Sequence, residues 1–317
     1  MLNNNKFIVC GGGTGGHLFP AMAISKMLSK NGGDILYIGS KYGIESNKIY
    51  NNAFFLNIKG IQRTLSFSNF IDNLLLPYRF ILSIIHSIII IYKFNPNVVI
   101  GTGGYSSGVP LISAIILGKK ILIQEQNSYP GLTNRVLSKF ADKICISYND
   151  SKKFFKKNIV FSGNPIRNDF IKINKSKAKQ KLNIDNDRFT IFICGGSQGS
   201  MPINNHIINN LGYYNNLDAE IIWQCGTNHY NDIKLLKLNS NIKIYDFIND
   251  IDKIYCASDL IISRSGALTL SEINYFGKAS ILIPFPFSTG NHQYKNAQYS
   301  EKVNAGIIIN QDNLIFR

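Results

Sequence analysis

Short apolar runs recur along almost the whole chain, and each is followed by a longer segment with helical patterning. Runs that are apolar over their whole length are typical of strands in parallel sheets that helices cover on both faces. The alternation of such strands with helices predicts an α/β fold. The runs are FIVC, ILYIG, FFLNI, VVIG, KILIQ, KICIS and IVFSG, followed later by TIFIC, EIIWQ, IKIYDF, DLIIS and SILIPF.

The runs form two series, and each series begins with a strand that leads into a glycine-rich loop. These loops are GGGTGGH at 11–17 and GGSQGS at 195–200. A polar, lysine-rich stretch at 167–188 separates the series and is interpreted as a linker with a surface helix. A chain of 317 residues is long enough for two cores. We therefore predict two Rossmann-like domains, 1–165 and 166–317, with parallel sheets that face a central cleft.

The first glycine loop lies where a buried strand passes into a helix, an arrangement that favours phosphate. Glycine allows close backbone approach and positive φ, and a helix N-terminus directs free N–H groups at negative charge. Gly11, Gly13 and Gly16 also fit the G-x-G-x-x-G dinucleotide pattern, which requires an acidic residue about 20 residues later. The second strand ends instead in Ser40 and Lys41. This weakens an NAD interpretation and leaves an NADP-dependent oxidoreductase as one alternative.

The composition is basic, with 34 Lys and Arg against 19 Asp and Glu and a formal charge of +15. This excess favours an anionic partner, although a general enrichment in Lys, Asn and Ile contributes to it. A basic protein that binds a membrane or nucleic-acid surface is a second alternative. No nucleic-acid recognition module is visible in the sequence, so we expect no nucleic-acid partner.

The five cysteines lie far apart and lack the spacing of metal ligands. Most of them fall in or beside apolar runs, where a free cysteine behaves as a small hydrophobic residue. The N-terminus lacks the charged-then-apolar pattern of a signal peptide. We therefore expect reduced core cysteines in a cytosolic protein.

Several further loops follow predicted strands, and their order along the chain is informative. With the two glycine loops, they are GTGGYSSG at 101–108, QEQNSYPGLTNR at 124–135, SGNPIR at 162–167, SRSGALTLSE at 263–272 and GNHQYKNA at 290–297. From residue 6 to about 310 the chain resembles the MurG family of glycosyltransferases. The resemblance implies a GT-B fold and inverting transfer of N-acetylglucosamine from UDP-N-acetylglucosamine. The implied acceptor is the 4-hydroxyl of a lipid-linked N-acetylmuramyl-pentapeptide, a precursor of peptidoglycan, and neither a metal ion nor a cofactor is implied.

The resemblance also assigns roles to individual residues. His17 is the candidate general base, or a group that positions substrate, because an imidazole titrates near neutral pH. Glu272 matches the position that binds the ribose hydroxyls, and Ile248 matches the one that packs against uracil. Helix N-termini, hydroxyls and a cation, Arg167 or Arg264, would stabilise the leaving diphosphate. The residues assigned to UDP-N-acetylglucosamine are Thr14, Gly15, Gly16, Asn127, Arg167, Ser197, Ile248, Ala267, Leu268, Thr269, Leu270, Ser271, Glu272 and Gln293, and those assigned to the acceptor are Gly103, Gly104 and Tyr105.

The most apolar stretch of the chain is at 73–94, and it is long enough for a transmembrane span. Pro77, Arg79 and His86 interrupt it, and the sheet needs a crossover helix there, so a buried helix or a membrane-surface helix is expected instead. A lipid-linked acceptor favours the surface helix. We expect Leu75, Leu76 and Phe80 to form an exposed patch among cations such as Arg79 and Lys93. The expected location is peripheral, on the cytoplasmic face of the plasma (inner) membrane.

Two features depart from the family pattern. Gln124 stands where the family often has histidine. The chain ends at NQDNLIFR, about 40 residues earlier than expected for two domains of usual size, so a final helical segment that packs across the domains is expected to be missing. The sequence does not indicate an oligomeric state.

Overall fold

The protein folds into two compact α/β units. A computed structural model describes residues 5–49, 51–60, 66–167, 169–196 and 198–314. The units are Met1–Asn168 and Asp169–Arg317, so the division falls just after the predicted boundary at 165. Each unit is built on one parallel sheet, which confirms the predicted fold class.

The first unit contains a seven-stranded parallel sheet in the order β3-β2-β1-β4-β5-β6-β7. Its strands are β1 (Lys6–Cys10), β2 (Asp34–Ser40), β3 (Ala53–Leu56), β4 (Val98–Gly101), β5 (Lys120–Glu125), β6 (Lys143–Ile146) and β7 (Ile159–Phe161). Its helices are α1 (Gly15–Lys30), α2 (Phe67–Leu74), α3 (Leu76–Phe94), α4 (Tyr105–Ile116) and α5 (Leu132–Leu137), with short 3₁₀ segments at Ile44–Asn47, Ser138–Phe140 and Asn149–Phe154.

The second unit contains a six-stranded sheet in the order β10-β9-β8-β11-β12-β13. Its strands are β8 (Thr190–Cys194), β9 (Glu220–Gln224), β10 (Ile242–Tyr245), β11 (Leu260–Ser263), β12 (Ala279–Leu282) and β13 (Gly306–Ile308). Its helices are α6 (Lys175–Lys181), α7 (Met201–Asn209), α8 (Leu211–Asn215), α9 (Thr227–Ile233), α10 (Ile251–Ala257), α11 (Ala267–Phe276) and α12 (His292–Lys302), with 3₁₀ segments at Thr289–Asn291 and Gln311–Leu314.

Apolar cores cover both faces of each sheet, which explains why the strands are apolar throughout. In β1, Ile8 belongs to the core on one face and Val9 to the core on the other. In β8, Phe192 likewise belongs to the core on one face and Ile193 to the core on the other. Successive residues of a strand point to opposite faces, so a strand covered on both sides has no polar face. Each such buried side chain contributes roughly 1.5–3 kcal/mol.

The strand order fixes where the loops of each unit meet. In the first sheet β1 lies between β2 and β4, and in the second β8 lies between β9 and β11. The order along the sheet reverses at these points, and ligands of open α/β sheets bind there, beyond the carboxyl ends of the strands. The loops after β1 and β4 are therefore neighbours, as are the loops after β8 and β11.

Candidate active site

The glycine loop after β1 encloses a carboxylate of the protein itself. Glu45, fully buried in the 3₁₀ segment Ile44–Asn47, accepts hydrogen bonds from the Gly13 N–H at 2.8 Å and the Ser40 N–H at 3.0 Å. A Cβ on Gly12 would lie 2.3 Å from the Glu45 carboxyl carbon, so any larger residue there would displace the carboxylate. The sequence led us to expect this loop to offer its N–H groups to a ligand phosphate. The Gly13 N–H is instead already occupied.

Removing the charge of Glu45 should loosen this loop. In Glu45→Gln the amide NH₂ would face one of the two N–H donors, and losing a hydrogen bond to a charged group costs about 1.5–3 kcal/mol. We expect the amide hydrogens of Gly13 and Ser40 to exchange roughly 10- to 150-fold faster, as measured by NMR. Glu301→Gln, at an exposed position of α12, is the matched control. Unchanged exchange at Gly13 would show that Glu45 does not hold the loop.

His17 lies in the first turn of α1 and contacts the loop after β4. Its Nδ1 is 3.0 Å from the carbonyl oxygen of Thr102, and the Thr102 hydroxyl donates to the His17 carbonyl oxygen at 2.7 Å. Gly103 and Gly104 have φ of +100° and +79°. A Cβ on Gly103 would lie 2.9 Å from Nδ1, and one on Gly104 would lie 2.4 Å from the Gly12 carbonyl oxygen. These glycines allow the imidazole to pack directly on backbone.

The loop after β5 supplies the remaining contacts of the histidine. Gln126, which is buried, places its Oε1 3.0 Å from Nδ1 of His17. The neighbouring Glu125 is fully buried and accepts from the Asn127 N–H at 2.9 Å and from Nδ2 of Asn134 at 2.8 Å. Burial raises the pKa of Glu125, and these hydrogen bonds and the charge of His17 oppose that rise. Glu125 thus organises the loop that carries Gln126.

Two residues singled out in the sequence, at the end of β5 and in the loop after it, have internal partners. The side-chain nitrogen of Asn127, predicted to contact the sugar donor, is 3.3 Å from the Glu125 carboxylate. Gln124, at the position where the family often has histidine, donates to Oδ1 of Asn164 at 3.1 Å. A glutamine there still links the end of β5 to the loop after β7.

Tyr105, at the start of α4, lies beside an apolar groove of the first unit. Its half-buried ring is close to Gly13 and Gly60, where an added Cβ would lie 2.7 Å and 3.0 Å away. Burial raises the pKa of Tyr105. The groove has a volume of about 450 Å³. Its lining includes Ile58, Lys59, Leu76, Phe80, Ile112 and Val136.

In the second unit, a buried glutamine joins the glycine loop after β8 to the loop after β10. Nε2 of Gln224 donates to the Gly196 carbonyl oxygen at 3.0 Å, and its Oε1 accepts from the Ile248 N–H at 3.0 Å. Ile248 is 7% exposed and belongs to the core. Its N–H therefore already has a partner, and Gln224 was not identified from the sequence. Ser197 lies outside the described residues.

The loop after β11 leads into α11, which carries six consecutive predicted donor-binding residues, Ala267 to Glu272. The helix begins after Gly266 without a side-chain cap and without an acidic residue in its first turn, so its N-terminus can face an anion. Ala267 and Leu270 are buried, while Leu268 and Thr269 are half-buried. The Ser271 hydroxyl donates to the Ala267 carbonyl oxygen at 2.8 Å. Glu272 accepts from the Tyr255 hydroxyl at 2.9 Å.

Arg264, one of the two cations considered for the diphosphate, is held by hydrogen bonds within the second unit. Its guanidinium donates to the carbonyl oxygens of Ile283 and Pro284, both at 3.2 Å, and to Oε1 of Gln311 at 2.6 Å. Burial lowers the pKa of Arg264 to about 10. The other cation, Arg167, is half-buried at the end of the first unit. Gln293, a predicted donor contact, accepts from the Phe285 N–H through its side chain at 2.9 Å.

The predicted residues therefore form two groups, one in each unit. Thr14, Gly15, Gly16, His17, Gly103, Gly104, Tyr105 and Asn127 lie around the switch point of the first sheet, and Arg167 follows the last strand of that unit. Ile248, Ala267 to Glu272 and Gln293 lie in the second unit, in the loops after its strands or in the helices that follow them. Within the described parts of the chain, no cluster of three or more His, Cys, Asp or Glu is arranged to hold a metal ion.

Helix α3 exposes a continuous apolar stripe. Tyr78, Ile81, Ile85, Ile89 and Tyr92, spaced three or four residues apart, are between 45% and 75% exposed. The opposite face, with Ser83, Ser87 and Ile91, is buried. By length and composition α3 could cross a membrane, and only 17% of its most apolar stretch is buried.

The predicted patch only partly coincides with this stripe. Leu75 and Phe80 are exposed and Leu76 is half-buried, and Leu76 and Phe80 both line the groove. Arg79 forms an ion pair with Asp72 at 3.0 Å rather than standing free beside the patch. Lys93 is exposed near the end of the helix.

Comparisons with known proteins agree with this architecture. Residues 7–146 match the glycosyltransferase family 28 N-terminal domain, and residues 190–317 match the glycosyltransferase family 28 C-terminal domain. The structure is similar to a crystal structure of Acinetobacter baumannii MurG, with a TM-score of 0.73 and 26% identity over 97% of this chain and 86% of that one. The calicheamicin glycosyltransferase CalG4 shares the fold at a TM-score of 0.70 and 10% identity, covering 99% of this chain and 87% of that one. The fold and its two groups of loops are thus those of a GT-B glycosyltransferase.

Curated relatives specify the family. The UDP-N-acetylglucosamine–N-acetylmuramyl-(pentapeptide) pyrophosphoryl-undecaprenol N-acetylglucosamine transferase of Flavobacterium psychrophilum is 39% identical over 98% of this chain and 85% of its own length. The enzyme of the same name from Finegoldia magna is also 39% identical, over 98% of this chain and 86% of its own length. The chain belongs to the MurG family.

Proposed function

We propose that the protein transfers N-acetylglucosamine from UDP-N-acetylglucosamine to the 4-hydroxyl of a lipid-linked N-acetylmuramyl-pentapeptide. The observation that carries this proposal is identity of 39%, over 98% of the chain, to relatives named for that reaction. The acceptor oxygen forms a bond to C1 of the sugar, the bond from C1 to the UDP oxygen breaks, and the configuration at C1 inverts. The hydroxyl proton passes to a base, and UDP leaves with the electron pair.

The two units supply different parts of this chemistry. In the first, the imidazole of His17 is the candidate for the hydroxyl proton, with Thr14, Gly15 and Gly16 beside it as candidate sugar contacts. In the second, the N-terminus of α11, whose first turn carries no acidic residue, is suited to the diphosphate, and Glu272 is suited to the ribose hydroxyls. Arg264 adds a buried positive charge near this end of the helix, although its donors are engaged with carbonyl oxygens.

An NADP-dependent oxidoreductase is not favoured, because the Glu45 carboxylate already takes the Gly13 N–H of the dinucleotide-like loop. Thermal denaturation separates the two functions. Ligand binding to the folded state raises the melting temperature, so UDP should raise it and NADPH should not. Stabilisation by NADPH without any effect of UDP would contradict the proposal.

We also propose that the protein binds the cytoplasmic face of the plasma membrane through α3, with no nucleic-acid partner. The exposed stripe provides an apolar surface, and the buried Ser83, Ser87 and Ile91 tie the other face to the unit, which favours a surface helix over a span. A polyprenyl acceptor leaves the bilayer only at high cost, so its enzyme must work at the surface. The net charge of +15 favours anionic lipid.

Replacing the stripe should weaken membrane binding. For Ile81→Ser with Ile85→Ser, we expect affinity for anionic vesicles to fall by about tenfold or more, since each lost apolar contact is worth roughly 1 kcal/mol or more. Binding should also decrease steeply with salt, because each basic residue near the surface contributes on the order of 1 kcal/mol. Vesicle co-sedimentation measures both effects, with Leu235→Ser, an exposed leucine of the second unit, as control. Undiminished binding of the double variant would exclude α3 as the docking surface.

A further inference from the structure

The hydrogen bonds of the His17 ring define which of its nitrogens carries the proton. Nδ1 lies 3.0 Å from two oxygens, the carbonyl of Thr102 and Oε1 of Gln126. A carbonyl oxygen can only accept a hydrogen bond. If the Gln126 side chain presents oxygen there, both partners of Nδ1 are acceptors, and Nδ1 must be the donor.

The orientation of the Gln126 amide follows from its other contacts. Its Nε2 is 2.8 Å from the Thr102 carbonyl oxygen and 3.1 Å from the Gln124 carbonyl oxygen, and it also donates to Oε1 of Gln124. Exchanging the oxygen and nitrogen would place an oxygen of Gln126 against these acceptor oxygens, where no hydrogen bond can form. Gln126 is 1% exposed, so solvent cannot compensate for that exchange.

We propose that Gln126 is a positioning residue that holds neutral His17 in the tautomer with its proton on Nδ1. Nε2 then keeps the lone pair that a general base needs. The loop after β4 packs against the same ring and limits its rotation, because an added Cβ on Gly103 or Gly104 would lie 2.9 Å or 3.2 Å from ring atoms of His17. The part that concerns catalysis rests on the function proposed above.

An uncharged partner has a chemical consequence for the base. A carboxylate on Nδ1 would stabilise the imidazolium, whereas a carboxamide orients the ring without adding charge. One acidic group, Glu125, already interacts with the charge of His17, but its carboxylate is hydrogen-bonded within its own loop. Glu45 accepts from Gly13 and Ser40, and the Tyr105 ring packs near Gly13. Gln126 therefore orients the ring without placing a second acidic group beside it.

Nitrogen-15 NMR of the histidine ring tests the tautomer directly, with His17→Gln to assign the signals. We expect Nδ1 to be the protonated nitrogen of the neutral ring in the wild-type protein. A proton on Nε2 would overturn the proposal. This measurement needs no transfer activity, so absence of transfer together with a proton on Nδ1 would reject the proposed function and keep the positioning role.

Variants of Gln126 test its effect on catalysis. In Gln126→Glu, we expect the ring to stay charged to higher pH and the acid limb of the kcat/KM profile to move up by about one pH unit. In Gln126→Leu, we expect kcat to fall about fivefold to tenfold, the worth of one neutral hydrogen bond, with KM for the sugar donor unchanged. Gln298→Glu, at an exposed position of α12, is the control for added charge. An unshifted profile and ring titration in Gln126→Glu would contradict the role.

Discussion

Replacing His17 with alanine is expected to slow sugar transfer by about 10²–10⁴-fold, the usual contribution of a general base. Affinity for UDP should stay within a few-fold of wild type, because the residues assigned to the nucleotide lie mainly in the second unit. The physical reason is that the variant removes the acceptor of the hydroxyl proton and leaves the nucleotide contacts in place. Steady-state kinetics and calorimetric UDP titration measure the two quantities.

The appropriate control is His86→Ala, which removes an exposed imidazole of α3, assayed with a water-soluble acceptor analogue. Its rate should match that of the wild-type enzyme. Equal losses of transfer rate and UDP affinity in His17→Ala would mean that the histidine supports the loop or binds the donor, and that it is not the base.

Glu272→Ala is expected to weaken UDP binding by about 1.5–3 kcal/mol, or roughly 10- to 150-fold, the worth of hydrogen bonds to a charged partner. The effect should shrink for a donor analogue that lacks the ribose hydroxyls, because such a ligand cannot use the carboxylate. Calorimetric titration of UDP and of the analogue into the wild-type protein and into Glu272→Ala gives the four affinities of a double-mutant-type cycle.

Tyr255→Phe is the matched variant for Glu272. It removes the hydroxyl that donates to the carboxylate at 2.9 Å but keeps the buried ring. A smaller loss of UDP affinity than in Glu272→Ala is expected, since the carboxylate remains. Unchanged UDP affinity in Glu272→Ala would remove this residue from the donor site.

The fold could be predicted because each strand is a short apolar run that is recognisable from neighbouring residues alone. All of the apolar runs identified in the sequence form strands, from β1 to β12. The last strand, β13 (Gly306–Ile308), was not predicted, because it follows α12 so closely that its apolar residues were not separated from that helix. The family assignment was also predicted correctly, since its motifs occupy loops at the ends of predicted strands.

The partners of the site residues could not be predicted in the same way. Glu45 reaches the loop from 32 positions away from Gly13, and nothing local distinguishes it from a surface glutamate. Gln224 and Ile248 pair across 24 positions for the same reason. Likewise, the sequence does not show that two carbonyl oxygens accept hydrogen bonds from the Arg264 guanidinium. Such pairings depend on tertiary contacts.

The sequence also did not show which face of α3 is buried. Its sequence is apolar almost all round, so periodicity did not separate the side that packs from the side that faces out. The buried side proved to carry Ser83 and Ser87, and the exposed side carries Ile81 and Ile85. Small residues let α3 approach α4 closely, as the 3.4 Å contact of the Ser113 hydroxyl with the Ile84 carbonyl oxygen indicates. Packing requirements, rather than hydrophobicity alone, decided the orientation.

A transfer assay tests the central claim most directly. The purified protein is mixed with UDP-N-acetylglucosamine labelled in the sugar and with a lipid-linked N-acetylmuramyl-pentapeptide, and the lipid fraction is analysed. We predict label in the lipid product, release of one UDP per sugar transferred, and a β-linkage to the 4-hydroxyl. The account would be contradicted if the label stayed in the UDP-sugar and the lipid fraction of the wild-type protein contained no more label than that of His17→Ala.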